Sequence, residues 1–481
     1  MKYRIVLHIV GLINIILSFV MLAPLFVSLF FNEGDTRVFI DSFLVTGISG
    51  VILFFLFRTS LKEVSHRHGF IVVAACWISA SLFSAVPFIL SGHFPSVIDA
   101  VFEAVSGLTT TGGSILEDVE ALPHGLLFWR SLTHWIGGLG IVIFGLAVLP
   151  LLGIGGMQIY KAEASGASSE KLAPRVKGMA RILLTVYLII SFVLMVFLLI
   201  SGMDLFDAFN HSFSTIATGG FSTRGESIGG YGSFLTELVI MVFMVIGATN
   251  FALHYRFYRE GLGVYFKNSE FKFYIGILAG ATLLVAFNLF GREYAGVLTS
   301  LRYSSFQVIS IMTTTGYSTA DFSSWPVFSQ GVLMLLMFIG GTAGSTTGAI
   351  KCIRILLLLK IGHREMYKLI HPHVVKPVKL NGKPVEQDVL NSVMGFTFLY
   401  LAVFVASSAV LTMQNVDFVT AVSSVAASIG CVGPALGVTG PMSNFLHMPV
   451  LSKGVLILDM LLGRLELYTL LILIVPEFWR A

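Results

Sequence analysis

Long apolar stretches dominate this chain and leave few folds open to it. A stretch of about 20 apolar residues can cross a bilayer as a helix, and the 481-residue sequence contains ten candidates. They run from Ile5 to Phe31, Val38 to Phe57, Phe70 to Leu90, Leu126 to Leu152, Ile182 to Ile200, Leu235 to Phe257, Phe273 to Phe290, Val327 to Leu359, Val389 to Leu411 and Val450 to Val475. The sequence therefore predicts an all-α polytopic membrane protein.

Composition excludes the other broad classes. Charged residues make up 12% of the chain and apolar residues 56%, whereas soluble domains carry roughly 25% charged residues. The three cysteines, Cys76, Cys352 and Cys431, lie far apart in sequence and match neither zinc-site spacing nor a disulfide framework. A net charge of only +4, spread over loops, gives no reason to expect a nucleic-acid partner.

The distribution of charge predicts the orientation in the membrane. With a cytoplasmic N-terminus, both termini and the segments near 58–69, 153–181, 258–272 and 351–388 lie inside, and these regions hold all but seven of the 30 Lys and Arg residues. This bias follows the positive-inside rule. Acidic residues concentrate in the outer connections, which would attract cations. A second interpretation remains open, because topology does not constrain acidic residues and they can accumulate outside without a function.

Four polar, glycine-rich segments recur after the first two spans, each between two spans. They read AVFEAVSGLTTTGGS from Ala100, DAFNHSFSTIATGGFST from Asp207, SSFQVISIMTTTGYST from Ser304 and TAVSSVAASIGCVGPALG from Thr420. In the first three, a phenylalanine lies ten residues before a glycine: Phe102 and Gly112, Phe209 and Gly219, Phe306 and Gly316. In the fourth we align Gly433 with these glycines in preference to Gly430. Repetition of this kind predicts four copies of one structural unit.

Each copy is suited to enter the membrane and return. It begins with roughly ten helix-compatible residues, which would extend about 15 Å, half the hydrocarbon thickness. The C-terminal ends of four such half-helices carry the negative poles of their dipoles and would favour a cation between them. Glycine allows the returning strand to adopt unusual dihedrals, and carbonyl rings of this kind replace an ion's hydration shell in potassium filters. One copy alone would be better explained as a helix-packing face.

These features resemble the Trk, Ktr and HKT superfamily of potassium transporters and, within it, the TrkH-type subunit. The resemblance rests on the four repeats, the two extra N-terminal helices and four motifs. The motifs are HWIGGLGIVIF from His134, LPLLGIGGMQIYKAE from Leu149, GGTAGSTTGAIK from Gly340 and CVGPALG from Cys431. It implies four pseudo-symmetric helix, pore-loop, helix repeats around a central pore. The expected units are two N-terminal helices at 1–62 and pore repeats at 63–160, 161–262, 263–370 and 371–481.

The same resemblance implies a selectivity filter whose backbone carbonyls coordinate potassium. Carried onto this sequence, the filter comprises Thr110, Thr111 and Gly112; Ala217, Thr218 and Gly219; Thr314, Thr315 and Gly316; and Cys431, Val432 and Gly433. A serine at the first-repeat glycine accompanies sodium transport in plant relatives, so four glycines imply a preference for potassium. The fourth segment departs from the family pattern at Gly430 and Cys431, which leaves a weakly selective potassium and sodium conductor as an alternative.

Two features of the inner half of the membrane suggest a gate. The eighth span is interrupted by Gly340, Gly341, Thr342, Ala343, Gly344, Ser345, Thr346, Thr347 and Gly348. Each glycine costs up to about 1 kcal/mol in a helix, and the run resembles the intramembrane gating loop of the family; the alternative is a glycine-rich packing contact. Arg464 lies within the last span, where the resemblance places an arginine beneath the filter. Its alternative role is a structural pair with Asp459, Glu466 or the loop carbonyls.

The predicted function is potassium uptake across the bacterial cytoplasmic (inner) membrane through a gated, channel-like pore. Enzyme chemistry has no support, since no catalytic constellation is recognisable. The resemblance implies a homodimer surrounded by membrane lipid and a cytosolic, nucleotide-binding TrkA-like ring, with the inner segment from Lys351 to Gln387 as the expected docking region. Two alternatives stay open: a symporter that couples potassium to protons or sodium, and a non-transporting regulatory subunit.

Overall fold

The computed structural model describes residues 3–59, 66–147 and 172–480, and these form an almost entirely helical protein. By length and composition, seven of the described helices can cross a membrane, or eight when one bent pair counts as a span. After an N-terminal pair of spans, the same unit follows four times: a long helix, a short pore helix, an extended return segment and a second helix. The prediction of an all-α polytopic membrane protein is confirmed.

The N-terminal spans pack tightly against each other. The first consists of α1 (Tyr3–Val20) and α2 (Leu22–Phe31), and the second is α3 (Thr36–Leu56). A Cβ atom at Gly50 would lie 2.8 Å from the Ile15 nitrogen, so the two backbones approach more closely than any larger residue allows. Small residues at helix interfaces commonly permit such contact in membranes.

The described helices of the first two repeats lie between His66 and Lys267. Repeat 1 contains α4 (His66–Ser84), α5 (Val86–Ser91), the pore helix α6 (Val97–Leu108) and α7 (His124–Ala147). Repeat 2 contains α8 (Leu172–Ile200), the pore helix α9 (Leu205–Ile216), a 3-10 turn (Ser227–Tyr231), α10 (Phe234–Gly247), α11 (Phe251–Glu260) and α12 (Gly263–Lys267). Ser96 and Asp204 cap the two pore helices by accepting hydrogen bonds from backbone N–H groups.

The last two repeats complete the pore domain. Repeat 3 contains α13 (Ser269–Leu289), the pore helix α14 (Val297–Met312), α15 (Val327–Leu336) and α16 (Cys352–Ile370). A two-stranded hairpin, β1 (Lys379–Leu380) with β2 (Lys383–Pro384), leads into repeat 4. Repeat 4 contains α17 (Gln387–Met413), the pore helix α18 (Phe418–Ile429), a 3-10 turn (Gly437–Thr439), α19 (Val450–Arg464), α20 (Tyr468–Leu471), a 3-10 turn (Ile472–Ile474) and α21 (Pro476–Arg480).

Apolar side chains pack the repeats together. One cluster joins the helices of repeat 3 to the pore helix α18, and another joins α6 to α18 and α19. The N-terminal spans pack on repeat 1 through Phe39, Phe88 and Trp129, all fully buried. Pore helices therefore lie in the protein interior, where backbone that leaves the helix is shielded from lipid.

Among the described residues, two predicted spans change direction or end where hydrophobicity suggests a continuous helix. The stretch from Leu235 to Phe257 bends by 96° between α10 and α11. The stretch from Val450 to Val475 stops being one helix after Arg464, where Glu466 and Leu467 adopt positive φ angles. Apolar composition alone did not reveal these breaks. At the first bend, Thr342 satisfies freed backbone groups: its N–H donates to the Ala248 carbonyl and its Oγ1 accepts from the Asn250 N–H.

Part of the sequence prediction falls on residues outside the described ranges. The motif LPLLGIGGMQIYKAE and the end of the stretch from Leu126 to Leu152 belong there, as do the expected unit boundaries at 62/63 and 160/161. The division of the chain into units at 1–62, 63–160, 161–262, 263–370 and 371–481 stays a prediction.

Candidate functional site

All four pore helices end in the same backbone motif. Two residues beyond the last helical residue, each repeat places a non-glycine residue in the left-handed region: Thr110 (φ 55°), Thr218 (54°), Thr314 (52°) and Cys431 (52°). The next N–H group donates 2.8 to 2.9 Å back into the helix, from Thr111 to Ser106, Gly219 to Ser214, Thr315 to Ser310 and Val432 to Ala427. This is the Schellman helix ending. Glycine usually takes the left-handed position, because a Cβ atom makes that conformation unfavourable. Four non-glycine residues in it therefore concentrate backbone strain at one site.

The motif corrects the alignment of the second repeat by one residue. A glycine with positive φ follows two residues after each left-handed residue, at Gly112, Gly220, Gly316 and Gly433. The predicted triplet Ala217, Thr218 and Gly219 therefore becomes Thr218, Gly219 and Gly220. Ala217 instead caps its helix, as do Thr109, Thr313 and Gly430. In the fourth repeat Gly433, and not Gly430, occupies the position of the positive-φ glycine.

The shared phenylalanine spacing is corrected with it. Counted from the left-handed residue, Phe102 and Phe306 are equivalent to Asn210, and all three are fully buried. Phe209 lies one position earlier and is 37% exposed. The ten-residue spacing in repeat 2 was therefore a coincidence produced by two adjacent glycines and a neighbouring phenylalanine.

The four segments meet in a closed ring. At each of the positive-φ glycines, an added Cβ would collide with the carbonyl oxygen of the central residue in the next repeat. The pairs are Gly112 with Gly219, Gly220 with Thr315, Gly316 with Val432 and Gly433 with Thr111. The last distance would be 2.6 Å, and real Cβ atoms do not approach carbonyl oxygens that closely. Each repeat thus touches the next in chain order, and the fourth touches the first.

The interrupted span of repeat 3 forms a loop that folds back on itself. Helix α15 ends at Leu336 and α16 begins at Cys352. At the base of the loop, Gly340 N–H donates to the Ile350 carbonyl at 2.9 Å, and Ile350 N–H donates to the Phe338 carbonyl at 3.1 Å. The predicted loop residues from Gly340 to Gly348 therefore form one closed lobe in the middle of the span.

The lobe lies directly against the predicted filter segments. The Gly348 N–H donates to Thr314 Oγ1 at 2.9 Å. The Thr346 hydroxyl is within 3.0 Å of the Ile216 carbonyl, at the end of pore helix α9, and accepts a 3.2 Å hydrogen bond from Thr218 Oγ1. A Cβ on Gly348 would overlap the Gly430 carbonyl. The structure thus brings the predicted loop together with the predicted filter segments of repeats 2, 3 and 4.

Comparison with known proteins agrees with this geometry. The family model for TrkH, described as a cation transport protein, matches residues 35–480. The chain belongs to the TrkH family. The potassium uptake protein TrkH of Salmonella typhimurium is 40% identical, with 100% of each chain covered. TrkG of Escherichia coli is 36% identical over 99% of each chain.

A solved structure extends the similarity to three dimensions. The crystal structure of the potassium transporter TrkH from Vibrio parahaemolyticus superposes with a TM-score of 0.93 at 38% identity, covering 100% of both chains. The predicted resemblance to TrkH-type subunits is confirmed, and the chain is a multi-pass membrane protein. Its named relatives are transport proteins rather than enzymes.

Arg464, the charged residue of the last span, links the loop to repeat 1. It is 2% exposed and donates from Nη1 to the Thr346 carbonyl at 2.6 Å and from Nη2 to the Gly137 carbonyl at 2.9 Å. Of the partners left open by the sequence, the loop carbonyl is the one observed. Asp459 instead accepts from Ser407, and Glu466 pairs with Arg354.

The bend in repeat 2 is a docking point for the loop that sequence reasoning missed. Asn250 caps α11 by accepting from the Ala252 N–H at 2.8 Å, and its own N–H donates to Thr342 Oγ1 at 2.7 Å. The Thr342 N–H donates to the Ala248 carbonyl at 2.9 Å. A polar residue with cap preference inside an apolar stretch was the available signal for this break.

Glu270 is a second residue that the sequence did not single out. It lies at the start of α13, is 6% exposed and has one oxygen, Oε1, that accepts from the loop and from the first turn of α16. The donors are the Ala343 N–H at 2.7 Å and the Ile353 N–H at 3.1 Å. One carboxylate therefore joins the loop to the helix that follows it.

Residues from the N-terminal spans and from repeats 1 and 2 line an acidic cavity of about 660 Å³. Glu33, Glu120, Asp204 and Asp207 line it together with Arg224 and His124. Tyr231 donates to Asp207 at 2.6 Å; burial, with this hydrogen bond second, raises the pKa of the Tyr231 hydroxyl, so it remains a donor. The four carboxylates outnumber the basic side chains of the lining, so the cavity would attract cations.

Proposed function

We propose that this chain is the ion-conducting subunit of a bacterial Trk-type system and takes up potassium across the cytoplasmic membrane. The observation that carries the proposal is the closed ring of four identical helix endings, each with a glycine pressed against the next repeat's carbonyl. Four helix C-termini directed at one ring favour a cation, and backbone carbonyls are the ligands with which potassium filters replace water. The names of the relatives support the same cargo.

In this proposal the filter carbonyls come from one equivalent triplet in each repeat. The triplets are Thr110, Thr111 and Gly112; Thr218, Gly219 and Gly220; Thr314, Thr315 and Gly316; and Cys431, Val432 and Gly433. Potassium preference follows from the four glycines, because no side chain intrudes on the ring. An inside-negative potential of about 100 mV would supply about 2.3 kcal/mol per cation, enough to concentrate potassium without chemical coupling.

The loop from Gly340 to Gly348, held by Arg464, would be the gate of this pore. Its hydrogen bonds to Thr218 and Thr314 support this role, because a loop docked on the proposed filter would not let ions pass. Opening requires those contacts to break together. A cytosolic TrkA-like ring that docks on the inner segment from Lys351 to Gln387 would supply the driving force, in a homodimer with both termini in the cytoplasm.

Flux into liposomes tests the filter and its corrected register. The purified protein is given an inside-negative potential with potassium or sodium outside, and without a sodium or pH gradient. We expect potassium-selective flux that loses its selectivity in Gly112→Ser and equally in Gly220→Ser, because each serine would displace a neighbouring carbonyl. Ala217→Ser is the matched control, since the equivalent positions carry Thr109 and Thr313.

The outcomes separate the alternatives. Equal potassium and sodium flux in the parent protein would contradict the selectivity, and flux that requires a proton or sodium gradient would indicate a symporter. Loss of selectivity in Ala217→Ser but not Gly220→Ser would overturn the register. If the parent is silent, the same comparison is made with the loop shortened by removal of Gly344 to Thr346, which opens a closed gate but cannot rescue a non-conducting protein.

A further inference from the structure

A buried ion pair lies behind the filter and takes part in neither the carbonyl ring nor the loop. Glu103 on pore helix α6 and Arg130 on α7 are joined by a 2.8 Å contact between Oε1 and Nε. Their side chains are 0% and 2% exposed. A buried ion pair contributes little net stability because desolvation offsets its attraction, so its presence here calls for a structural reason other than stability.

Glu103 holds the return segment of its own repeat. Its Oε2 accepts from the Ile115 N–H at 2.9 Å, and the Ser114 hydroxyl lies 3.1 and 3.2 Å from its two oxygens. Ser114 is the second residue after the ring glycine Gly112. The carboxylate therefore fixes the backbone at the point where it leaves the filter.

Arg130 extends the attachment to the next repeat. Its Nη1 donates to the Ser222 carbonyl at 3.2 Å and its Nη2 to Ser114 Oγ at 3.3 Å. The guanidinium also stacks 4.1 Å from the ring centre of Phe221. Ser222 is the second residue after Gly220, so the same guanidinium contacts equivalent positions of the return segments in repeats 1 and 2.

The other repeats use a neutral group at the position of Glu103. Counted from the left-handed residue, the equivalents are His211, Gln307 and Ser424, and each contacts its own return segment. His211 Nε2 lies 3.1 Å from Ser222 Oγ, the Gln307 amide oxygen accepts from the Thr319 N–H at 2.8 Å, and Ser424 Oγ lies 2.7 Å from Thr439 Oγ1. A polar group thus supports every return segment, and among these four positions only Glu103 is held in an ion pair that also reaches a neighbouring repeat.

We propose that Glu103 and Arg130 are positioning residues that set the ion selectivity of the filter. By tying two return segments to one planar, charged group, they fix the separation of repeats 1 and 2 and hence the spacing of their ring carbonyls. Glu103 also neutralises Arg130, whose charge would otherwise repel a cation in the filter. This proposal rests on the filter proposed above.

The test measures the ratio of potassium to sodium flux in loop-shortened protein, because a role confined to stability would not change that ratio. The variants are Arg130→Lys, which keeps the charge but loses the planar fork, Arg130→Gln, and the double variant Glu103→Gln with Arg130→Gln, which leaves no unpaired charge. We expect each to lower the ratio by about tenfold, equivalent to about 1.4 kcal/mol of discrimination, because the separation of the two return segments is no longer fixed. The matched control replaces the buried pair of Asp99 and Lys453, 2.6 Å apart on α6 and α19, by Asn and Met.

Each result decides the question. A parental ratio in any folded Arg130 variant would overturn the proposal, as would an equal loss in the Asp99 and Lys453 control. Gly112→Ser, measured alongside, separates this inference from the filter itself: if that variant loses selectivity and Arg130→Lys does not, the filter stands and the positioning role fails. If neither Arg130 variant folds, the double variant, free of a buried lone charge, gives the deciding ratio.

Discussion

The helices that follow the predicted filter segments in repeats 1 and 3 occupy equivalent places, but one is continuous and the other is interrupted. In repeat 1, α7 continues unbroken from His124 to Ala147 through Gly137, Gly138 and Gly140. In repeat 3 the helix stops at Leu336 and does not resume until Cys352. Both contain several glycines, so glycine content alone does not break a helix in this environment.

The difference lies in the partners available to the backbone. Within α7, leaving the helix would strand N–H and carbonyl groups in an apolar interior, which costs several kcal/mol each. The loop of repeat 3 has substitutes: Thr347 Oγ1 accepts from the Gly341 N–H at 3.1 Å, and Glu270 accepts from the Ala343 N–H. A membrane helix therefore breaks where side chains replace its own hydrogen bonds.

The largest expected effect comes from replacing one glycine by alanine, either Gly137 in α7 or Gly341 in the loop of repeat 3. A Cβ on Gly137 would overlap the Leu108 carbonyl at the end of pore helix α6, and neither backbone can move easily. We expect Gly137→Ala to lower the free energy of unfolding by about 3 kcal/mol, the upper range for overpacking. Gly341→Ala would overlap the Ala248 carbonyl, but it lies in the loop and should displace the loop instead, raising flux with little loss of stability.

Thermal unfolding in detergent and liposome flux together check this pair. Gly276→Ala in α13 is the control for the substitution itself, because no atom lies within 4 Å of its Cβ position, and it should stabilise by about 0.5 to 1 kcal/mol. Equal destabilisation by Gly137→Ala and Gly341→Ala would mean that the loop is as much a part of the folded core as α7.

A feature of the fold or of the candidate site could be predicted from the sequence when neighbouring residues determine it, and could not when a distant contact does. Spans, pore helices and the interrupted segment followed from hydrophobicity and from a polar run, which are local properties. The register of repeat 2 did not, because Gly219 and Gly220 are adjacent and only their contacts with His134 and the Thr315 carbonyl distinguish them. The roles of Glu270 and Asn250 were also invisible, since their partners lie in repeat 3, far along the chain.

Arg464 is the contact that joins the two contrasted segments, since it donates to the Thr346 carbonyl in the loop and to the Gly137 carbonyl in α7. Arg464→Gln removes the charge and shortens the donor side chain. The docked state of the loop should therefore lose about 2.7 kcal/mol of stabilising free energy, within the range for charged hydrogen bonds. We expect potassium flux through the isolated protein to rise about a hundredfold, since each 1.4 kcal/mol is a factor of ten. Arg464→Lys keeps the charge, so the flux through it should rise less. An unchanged flux in folded Arg464→Gln would show that this residue does not hold the loop closed.

Glu270 offers a smaller and more specific way to loosen the loop while leaving α7 untouched. Glu270→Gln keeps an acceptor for the Ala343 and Ile353 N–H groups, but a neutral oxygen forms weaker hydrogen bonds than a carboxylate, by roughly half. We expect flux to rise about tenfold, equivalent to about 1.4 kcal/mol, without a change in the potassium to sodium ratio. Asp459→Asn is the control, because it removes a buried carboxylate that contacts Ser407 and not the loop. If both variants raise flux alike, the loss of buried negative charge controls conduction, and release of the loop does not. The loop of repeat 3 would then be held by its own backbone hydrogen bonds, as α7 is.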